Sequence, residues 1–237
     1  MLINDTKTKI LIQIRYIYTI CGVADEERGN KILDAILKNN LTDYGLVIQH
    51  PPLHRDYPSK EEEISFATPG IGENGGIFCH ANTWAIMAYA MMNRPDDAYK
   101  IYSNIMPDHI VSKIGVDAYS TEPYIYSSNI RAPYVDRGGE AAVSWLTGTA
   151  TWMNIAVSQY IFGIKPVRGG LSINPKLPSH IKEADIERIY RGTKYSIHVI
   201  NKGNKNKCPS LFIDGKKQNG HIVSSKEKQI NIVCICE

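Results

Sequence analysis

The hydrophobic pattern of the chain changes its period once, close to Pro166. Before this proline, apolar residues recur at helical spacing, and long Gly- and Pro-rich stretches separate the periodic segments. After it, short β-branched runs alternate apolar with polar residues between glycines and prolines; these runs are residues 171–178, 184–202, 210–218 and 229–236. The pattern therefore predicts an α+β chain in which helices joined by long loops precede an all-β module, a sandwich of antiparallel strands.

The charge balance changes at the same place. Residues 1–165 hold 14 basic and 18 acidic side chains, a net charge of −4, whereas residues 166–237 hold 13 and 6, a net charge of +7. A change of sign at one point suggests a domain boundary there. The lysines of the basic part are scattered among strand residues, which favours a solvated surface over nucleic-acid binding.

No targeting or membrane signal is recognisable near the N terminus. The apolar positions of residues 1–20 are interrupted by Lys7, Lys9 and Arg15, which disrupts both a signal peptide and a spanning helix. The five cysteines follow no spacing typical of a disulfide framework or a zinc site. We therefore expect reduced thiols in a cytoplasmic protein with no metal and no membrane partner.

Several stretches before Pro166 have helical patterns. Residues 24–39 place acids in the first turn and apolar residues at helical spacing, and residues 82–93 are apolar nearly all round, as in a buried helix. Pro95 occupies the first turn of a further helix. Residues 139–162 are predicted to form one long helix rich in small residues.

Two stretches are predicted to be long loops, residues 41–76 and 107–137, because prolines and glycines leave no room for a long regular element. A loop of this length inside a compact domain is usually functional or disordered. Residues 70–80 are expected to be ordered and functional, since Gly and Asn predominate there and an apolar helix follows at once.

The first candidate site is the segment 70–84, in which Glu73 and His80 flank a glycine pair just ahead of the buried helix. Glycines allow close backbone approach to a ligand, and a histidine at a helix start can help to bind an anion. The same residues fit a Gly-rich turn with a capping histidine equally well. A metal site at Cys79-His80 is disfavoured because no second Cys/His pair lies at ligand spacing.

The second candidate is the segment 144–152, where Thr147, Gly148 and Thr149 place two hydroxyls and a bare backbone within one turn. Such a group can donate hydrogen bonds to phosphate oxygens, although small hydroxyl residues in a helix more often serve close packing. Dinucleotide, Walker-type and zincin motifs do not occur in the sequence.

The third candidate is the tyrosine-rich segment 120–127, which contains Glu122 and Tyr124. Aromatic rings beside a carboxylate suit stacking on a sugar and hydrogen bonding to its hydroxyls. A purely structural tyrosine-rich loop explains the composition equally well.

Taken together, seven motifs closely resemble the C-terminal half of the glycoside hydrolase family 94 phosphorylases, the group of cellobiose and chitobiose phosphorylases. They are GVADEERGNKILDAILKN, TDYGLVIQHPP, PGIGENGGIFCHANTW, TEPYIYS, GEAAVSWLTGTATWM, YIFGIKP and GLSINPKLP. The resemblance implies the closing part of an (α/α)₆ barrel over residues 21–165 and a jelly-roll-like β-sandwich over 166–237. Residues 1–20 are left unmatched by these motifs.

The resemblance also implies a chemistry, the inverting phosphorolysis of a β-glucosidic disaccharide to a sugar 1-phosphate. Inorganic phosphate is the co-substrate and no cofactor is needed. His80, Thr147 and Gly148 match phosphate-binding positions, and Glu73 matches a sugar-binding position. Glu122 and Tyr124 remain further sugar-binding candidates.

Two departures from the family affect the function. In the family, the general-acid aspartate lies further upstream of the ENGG motif than the first residue of this sequence. No catalytic residue is therefore assigned, and the 237 residues are expected to be inactive alone. Gly72 stands where several relatives have a lysine, which leaves the sugar preference open. The interpretation is the C-terminal fragment of a disaccharide phosphorylase, a glycosyltransferase.

Two alternatives come from other classes: a non-catalytic carbohydrate-binding or structural remnant, and a glucan-processing hydrolase relative, which would not need Thr147 and Gly148.

Expected partners are a disaccharide, phosphate, a complementary N-terminal fragment and, in the full enzyme, a second copy of the same chain. Without the earlier barrel helices, residues 82–93 are expected to expose an apolar patch and to drive self-association.

Overall fold

The computed structural model describes residues 10–11, 19–52, 68–203 and 209–237. The expectations for Lys7, Lys9 and Arg15 and for the middle of the 41–76 loop lie outside these residues. The chain divides into two compact units, the first formed by Met1–Ala88 and Lys100–Met153, the second by Tyr89–Tyr99 and Asn154–Glu237. The sequence-based boundary at residue 165 stays a prediction.

The described residues contain six α-helices and one short π-helix. The α-helices are α1 (Glu26–Asn40), α2 (Cys79–Met91), α3 (Pro95–Asn104), α4 (Pro107–Ile114), α5 (Val116–Tyr119) and α6 (Thr149–Ile155), and the π-helix (Ala156–Ile161) follows α6 directly. The helices predicted from residues 24–39, 82–93 and Pro95 are confirmed.

Helix α1 forms where local signals agree. The Asp25 carboxylate caps the helix by accepting a hydrogen bond from the backbone N–H of Arg28 at 2.8 Å. Acids in the first turn and Lys38 in the last turn match the helix dipole. Leu33 and Ile36, three residues apart on one face, are fully buried.

Helix α2 is buried along most of its length, as its apolar sequence predicts. Ile86, Met87 and Tyr89 are at most 5% exposed, whereas Met91 is exposed. The expectation that this helix presents a broad apolar patch in the isolated chain is therefore wrong, because its side chains are covered within the 237 residues.

Seven short strands of the described residues belong to the first unit. They are β1 (Ile10–Leu11), β2 (Leu41–Thr42), β3 (Gly45–Leu46), β4 (Gln49–His50), β5 (Ile77–Phe78), β6 (Ser127–Ile130) and β7 (Ala141–Ser144). β1 pairs with β4, β2 pairs with β3, and β5, β6 and β7 form a three-stranded antiparallel sheet in that order. This last sheet positions the candidate site.

Two predictions of secondary structure in this unit are wrong. Residues 139–162 do not form one helix, because Ala141–Ser144 pair with β6 and the helix begins only at Thr149. Residues 107–137 are not all loop, since they contain α4, α5 and β6. For β6 and β7, a strand partner outside the local window decides the conformation, which local propensity cannot anticipate.

A buried ion-pair cluster fixes the segment between β6 and β7. The Glu140 side chain is 11% exposed and forms ion pairs with Arg131, at 2.5 Å, and with Arg137. The Ser120 hydroxyl donates a further hydrogen bond to Glu140 at 3.3 Å. This cluster joins the end of α5 to the turn that precedes β7.

The described part of the second unit contains two sheets. A three-stranded antiparallel sheet has the order β14 (Ile222–Val223), β9 (Gly170–Ile173) and β8 (Ile164–Val167). The five-stranded sheet has the order β10 (Glu183–Tyr190), β11 (Thr193–Asn201), β15 (Gln229–Cys236), β12 (Ser210–Ile213) and β13 (Lys216–Gln218). The strands predicted from the alternating pattern after Pro166 are confirmed.

Alternation explains which face of the larger sheet is buried. Along β11, Tyr195, Ile197 and Val199 are buried while the residues between them are partly exposed, and β15 repeats this pattern. One pairing departs from expectation, because β11 and β15 run parallel. The prediction of purely antiparallel strands is therefore wrong at the centre of this sheet.

The molecule is an α+β protein with several sheets. Among the described residues, no helix combines the length and the apolar character needed to cross a bilayer.

Candidate functional site

The candidate site forms at one edge of the β5-β6-β7 sheet. β5 and β7 are both antiparallel to β6, so they run in the same direction and their carboxyl ends meet at the same edge. His80 lies two residues after β5, in the first turn of α2, and Thr147-Gly148 lie between β7 and α6. The topology thus brings together two motifs that are far apart in sequence.

Gly148 lies directly beside the imidazole of His80. A β-carbon added to Gly148 would lie 3.2 Å from Cε1 and 3.5 Å from Nδ1 of His80. The first of these distances is closer than normal packing allows, so any larger residue at position 148 would push on the ring. The absence of a side chain here keeps the edge of the imidazole approachable.

Three aromatic side chains surround His80. The Trp84 ring is 4.6 Å from the imidazole, the Trp152 ring 6.0 Å and the Phe78 ring 6.3 Å, measured between ring centroids. Trp84 and Trp152 also meet edge to face at 5.7 Å. The aromatic rings hold the imidazole in one orientation.

The Nε2 atom of His80 is buried and has no hydrogen-bond partner in the described structure. An unsatisfied buried polar atom costs free energy unless a bound group supplies the missing partner. Burial also lowers the pKa of His80, so the free imidazole is neutral at pH 7 and carries one N–H donor.

Thr147 and Thr149 form a hydroxyl pair at the start of α6. Their Oγ1 atoms are 2.6 Å apart, and the Thr147 oxygen accepts the backbone N–H of Thr149 at 3.1 Å. Either hydroxyl can donate within the pair. The Thr149 hydroxyl can also donate to the Ser127 carbonyl at 3.4 Å. When Thr149 donates to Thr147 instead, the proton of Thr147 is available to an anion.

The segment that leads into this pair has a strained backbone. Val143 and Trp145 have φ values of +59° and +67°, in the left-handed region that non-glycine residues seldom adopt. Such strain persists only where the surrounding structure imposes it, and it is frequent at functional sites.

Glu122 is bound to the same segment. Its carboxylate accepts a hydrogen bond from the indole N–H of Trp145 at 2.7 Å, and this bond is the main cause of a lowered Glu122 pKa. Trp145 is 69% exposed, and Tyr124 is 75% exposed. Glu122 therefore lies beside an exposed indole that is two residues from Thr147, whereas no contact in the described structure joins Tyr124 to this indole.

Glu73 occupies the tip of a tight turn. Ile71 and Asn74 form a β-bridge around it, and the backbone N–H of Gly76 donates to the carbonyl of Gly72 at 3.1 Å. A β-carbon on Gly76 would lie 2.6 Å from the Gly72 backbone, so the glycines serve the turn itself. Glu73 is exposed, and no hydrogen bond or ion pair joins it to His80 within the described residues.

Cys79, next to His80, behaves as a core residue. It is fully buried, and burial raises its pKa to about 12, so the thiol stays protonated. Within the described ranges, no three His, Cys, Asp or Glu side chains are grouped closely enough to hold a metal ion.

The sequence analysis missed three aromatic members of the site: Trp84, Trp145 and Trp152. A spacing signal exists for two of them. Trp84 follows His80 by four residues on α2, and Trp152 follows Gly148 by four residues along α6, so each lies on the same helix face as its partner. Trp145 has no such local signal, because it reaches Glu122 from 23 residues away.

The sequence matches the profile of the glycosyl hydrolase 94 superfamily catalytic domain over residues 3–163. The chain belongs to this family. The match includes residues 3–20, which the seven motifs had left unmatched.

Characterised relatives agree with this assignment. Solabiose phosphorylase of Paenibacillus borealis is 34% identical over 203 residues, which are 85% of this chain and 26% of that protein. N,N'-diacetylchitobiose phosphorylase of Vibrio proteolyticus is 31% identical over 235 residues, 96% of this chain and 28% of that protein. The chain thus spans about a quarter of the length of the relatives it matches.

Proposed function

We propose that this chain contributes the phosphate-binding part of the active site of an inverting disaccharide phosphorylase. Among the residues of the site, the His80 imidazole, the Thr147 hydroxyl and the backbone of Gly148 would bind inorganic phosphate, the co-substrate. The observation that carries the proposal is the unpartnered Nε2 of His80, on an imidazole whose edge adjoins Gly148. The family membership, and the phosphorylases among the relatives of the chain, support phosphate as the ligand of this arrangement.

In the proposed reaction, a phosphate oxygen attacks the anomeric carbon as the glycosidic C–O bond breaks, and the configuration inverts. A carboxylic acid protonates the leaving oxygen. None of the 237 residues is assigned this acid role. The residues of this chain orient the nucleophile, because N–H and O–H donors to an anion are strong and directional. No metal or organic cofactor is part of the proposal.

Sugar binding is proposed for Glu73, Glu122 and Tyr124. The hydrogen bond from Trp145 keeps the Glu122 carboxylate in place, and an ionised carboxylate accepts hydrogen bonds from sugar hydroxyls. Exposed aromatic faces at Tyr124 and Trp145 suit stacking against a pyranose ring. The disaccharide itself is not specified by these residues.

The finer fold is likewise a proposal. The helices of residues 21–165 would form part of an (α/α)₆ barrel, and the strands of 166–237 a jelly-roll-like sandwich. The full enzyme is proposed to be a cytoplasmic homo-oligomer, to which a complementary polypeptide with the remaining barrel helices would contribute the general acid.

Titration calorimetry of the full chain with inorganic phosphate tests this function. Each hydrogen bond to a charged group contributes roughly 1.5–3 kcal/mol, so His80→Ala and Thr147→Ala should each weaken phosphate binding by about tenfold or more. Glu73→Ala is the matched control, since it should leave phosphate affinity unchanged. Equal phosphate affinity in all three variants would refute the assignment.

One observation favours a second function, carbohydrate binding without turnover. Trp145, whose indole N–H donates to the Glu122 carboxylate, is exposed, and Leu146 and Tyr124 are exposed as well. Exposed aromatic rings beside a carboxylate suit sugar binding that does not need phosphate. Calorimetry with chitobiose and cellobiose, with and without phosphate, separates the two. A sugar affinity that does not depend on phosphate and is unchanged in His80→Ala would support carbohydrate binding without turnover.

A further inference from the structure

The second unit contains a cavity of about 250 Å³ that shares no residue with the proposed phosphate site. Its lining is Ala90, Met91, Gln159, Tyr160, Gly163, Lys165, Ser172, Asn174 and Lys176. This volume lies just below the range of about 300–1,000 Å³ that is usual for ligand sites, which restricts the ligand to a molecule with a single ring.

The local structure explains why polar groups meet here. Lys165 on β8 pairs directly with Ser172 on β9, so both side chains point to one face of the hairpin, and Asn174 continues that face two residues later. The π-helix contributes Gln159 and Tyr160. Segments of π-helix are rare and are frequently found at functional sites.

A close backbone approach shapes the wall between these elements. Gly163 has a φ of +66°, and a β-carbon at this position would lie 2.0 Å from the carbonyl oxygen of Asn174. The backbone carbonyl of Gly163 accepts a hydrogen bond from the backbone N–H of Asn174 at 2.9 Å. Only glycine allows the π-helix to end so close to Asn174, which directly follows β9.

The charged residues of the cavity wall are both lysines. Lys176 is 8% exposed, and its Nζ donates to the Asn93 amide oxygen at 2.9 Å. The Lys165 Nζ lies 3.4 Å from the Tyr160 hydroxyl and 5.0 Å from the centre of that ring. Two cations and no acid among the nine lining residues create a site that favours an anion.

The remaining polar groups are neutral. Gln159, Tyr160, Ser172 and Asn174 carry hydroxyl or amide groups that can donate to or accept from ligand hydroxyls. The amide oxygen of Asn174 is buried and has no hydrogen-bond partner among the residues that the structure describes. A bound group with a hydroxyl donor would remove this cost.

We propose that this cavity binds a phosphorylated monosaccharide, with Lys165 and Lys176 pairing with the phosphate and Ser172, Asn174 and Gln159 contacting the sugar hydroxyls. The two cations favour this ligand over a free sugar, and the neutral hydrogen-bonding groups favour it over a simple anion. The site goes beyond the proposed function, because none of its residues takes part in the phosphorolysis described above.

Calorimetric titration of the full chain in the His80→Ala background tests the proposal, since that background is expected to weaken the other phosphate site. The probe is glucose 6-phosphate, compared with inorganic phosphate and with glucose. Saturable binding of glucose 6-phosphate, at least tenfold tighter than either comparison ligand, is expected. Equal affinity for inorganic phosphate would overturn the sugar assignment, and equal affinity for glucose would overturn the anion assignment.

Variants locate the binding in the cavity. Lys165→Ala removes an exposed ammonium and should weaken glucose 6-phosphate binding about tenfold or more. Asn174→Asp keeps the side-chain shape, adds a negative charge and should abolish binding. Lys202→Ala, an exposed lysine of the same unit that does not line the cavity, is the matched control. Unchanged affinity in Lys165→Ala and Asn174→Asp, with melting temperatures preserved, would refute the site.

Discussion

At the scale of single residues, His80 has the most informative surroundings. It lies among aromatic rings, with one nitrogen buried and unpartnered, and burial lowers its pKa. A neutral imidazole in this position donates one hydrogen bond without requiring a counter-ion. An anion bound beside it would stabilise the protonated form and raise the pKa again.

The first prediction concerns that pKa. In the free chain, the Hε1 resonance of His80 should titrate below the usual histidine range of about 6.5, and saturating phosphate should move the midpoint upward. Proton NMR of the full chain measures both midpoints, with the spectrum of His80→Gln assigning the resonance. The other histidines of the chain act as internal controls. If phosphate left the midpoint unchanged, the assignment of His80 as a phosphate-binding residue would be wrong.

The lowered pKa of His80 also makes the free energy of unfolding depend on pH. Because the folded chain holds His80 with a lowered pKa, the unfolded chain binds the proton first as the pH falls. His80 therefore favours folding fully only above its unfolded pKa, and this contribution is lost between about pH 6.5 and its lower folded pKa. Urea unfolding across this range should show a smaller loss of stability for His80→Gln than for the wild-type chain.

The second prediction concerns Gly148. Gly148→Ala should weaken phosphate binding by about tenfold or more, because the added methyl group would lie 3.2 Å from the His80 ring and would obstruct a strong hydrogen bond to the anion. Gly169→Ala is the control, since its β-carbon would meet only Ile222 at an ordinary 3.6 Å. Phosphate titrations and melting curves of both variants make the comparison. Equal phosphate affinity in both would show that the space beside His80 is not used.

At the scale of elements, the β5-β6-β7 sheet carries both halves of the candidate site, so its stability controls the geometry. The Glu140 cluster anchors the connection between β6 and β7 through Arg131, Arg137 and Ser120. A buried charge that loses its partners is costly, whereas an exposed ion pair contributes little.

The third prediction follows from this cluster. Glu140→Gln should lower the free energy of unfolding by roughly 2–3 kcal/mol, because the half-buried Arg131 and the more exposed Arg137 both lose the buried carboxylate that pairs with them. Glu27→Gln removes an exposed ion pair with Lys31 on α1 and should cost about 0.5 kcal/mol or less. Urea unfolding of the two variants gives the difference. Similar losses would mean that solvent screens the Glu140 cluster as well.

At the scale of the whole molecule, the chain spans about a quarter of its phosphorylase relatives and has an α+β fold of two compact units. Binding and turnover can therefore be tested separately. In the proposed function, phosphate would be bound by the residues around His80 alone, whereas bond cleavage would also need a positioned acid and a complete sugar site.

The fourth prediction is that the 237 residues alone bind phosphate but do not turn over a disaccharide. Positioned proton transfer contributes on the order of 10²–10⁴-fold to such reactions, and no residue of this chain is assigned that role. Incubation with phosphate and either chitobiose or cellobiose should release no sugar 1-phosphate in an enzymatic assay. Phosphate-dependent release that is abolished by Glu73→Ala would place the acid within this chain.

The sequence by itself determined the elements whose signals are local. The Asp25 cap and the buried face of α1 follow from neighbouring residues, and the alternation along β11 predicts its buried side chains. Each of these depends on a period of two or about four residues, which any short window contains. The motifs around His80 and Thr147 were likewise recognisable as local patterns.

Only the tertiary structure decided which of these patterns meet. Ala141–Ser144 became a strand because β6 offers a pairing edge, and β15 runs parallel to β11 because the chain returns to it from a distance. His80 lies beside Gly148 for the same reason, since β5 and β7 end at one edge of their sheet. Contacts between distant residues depend on strand order and direction, and local periodicity contains no information about either.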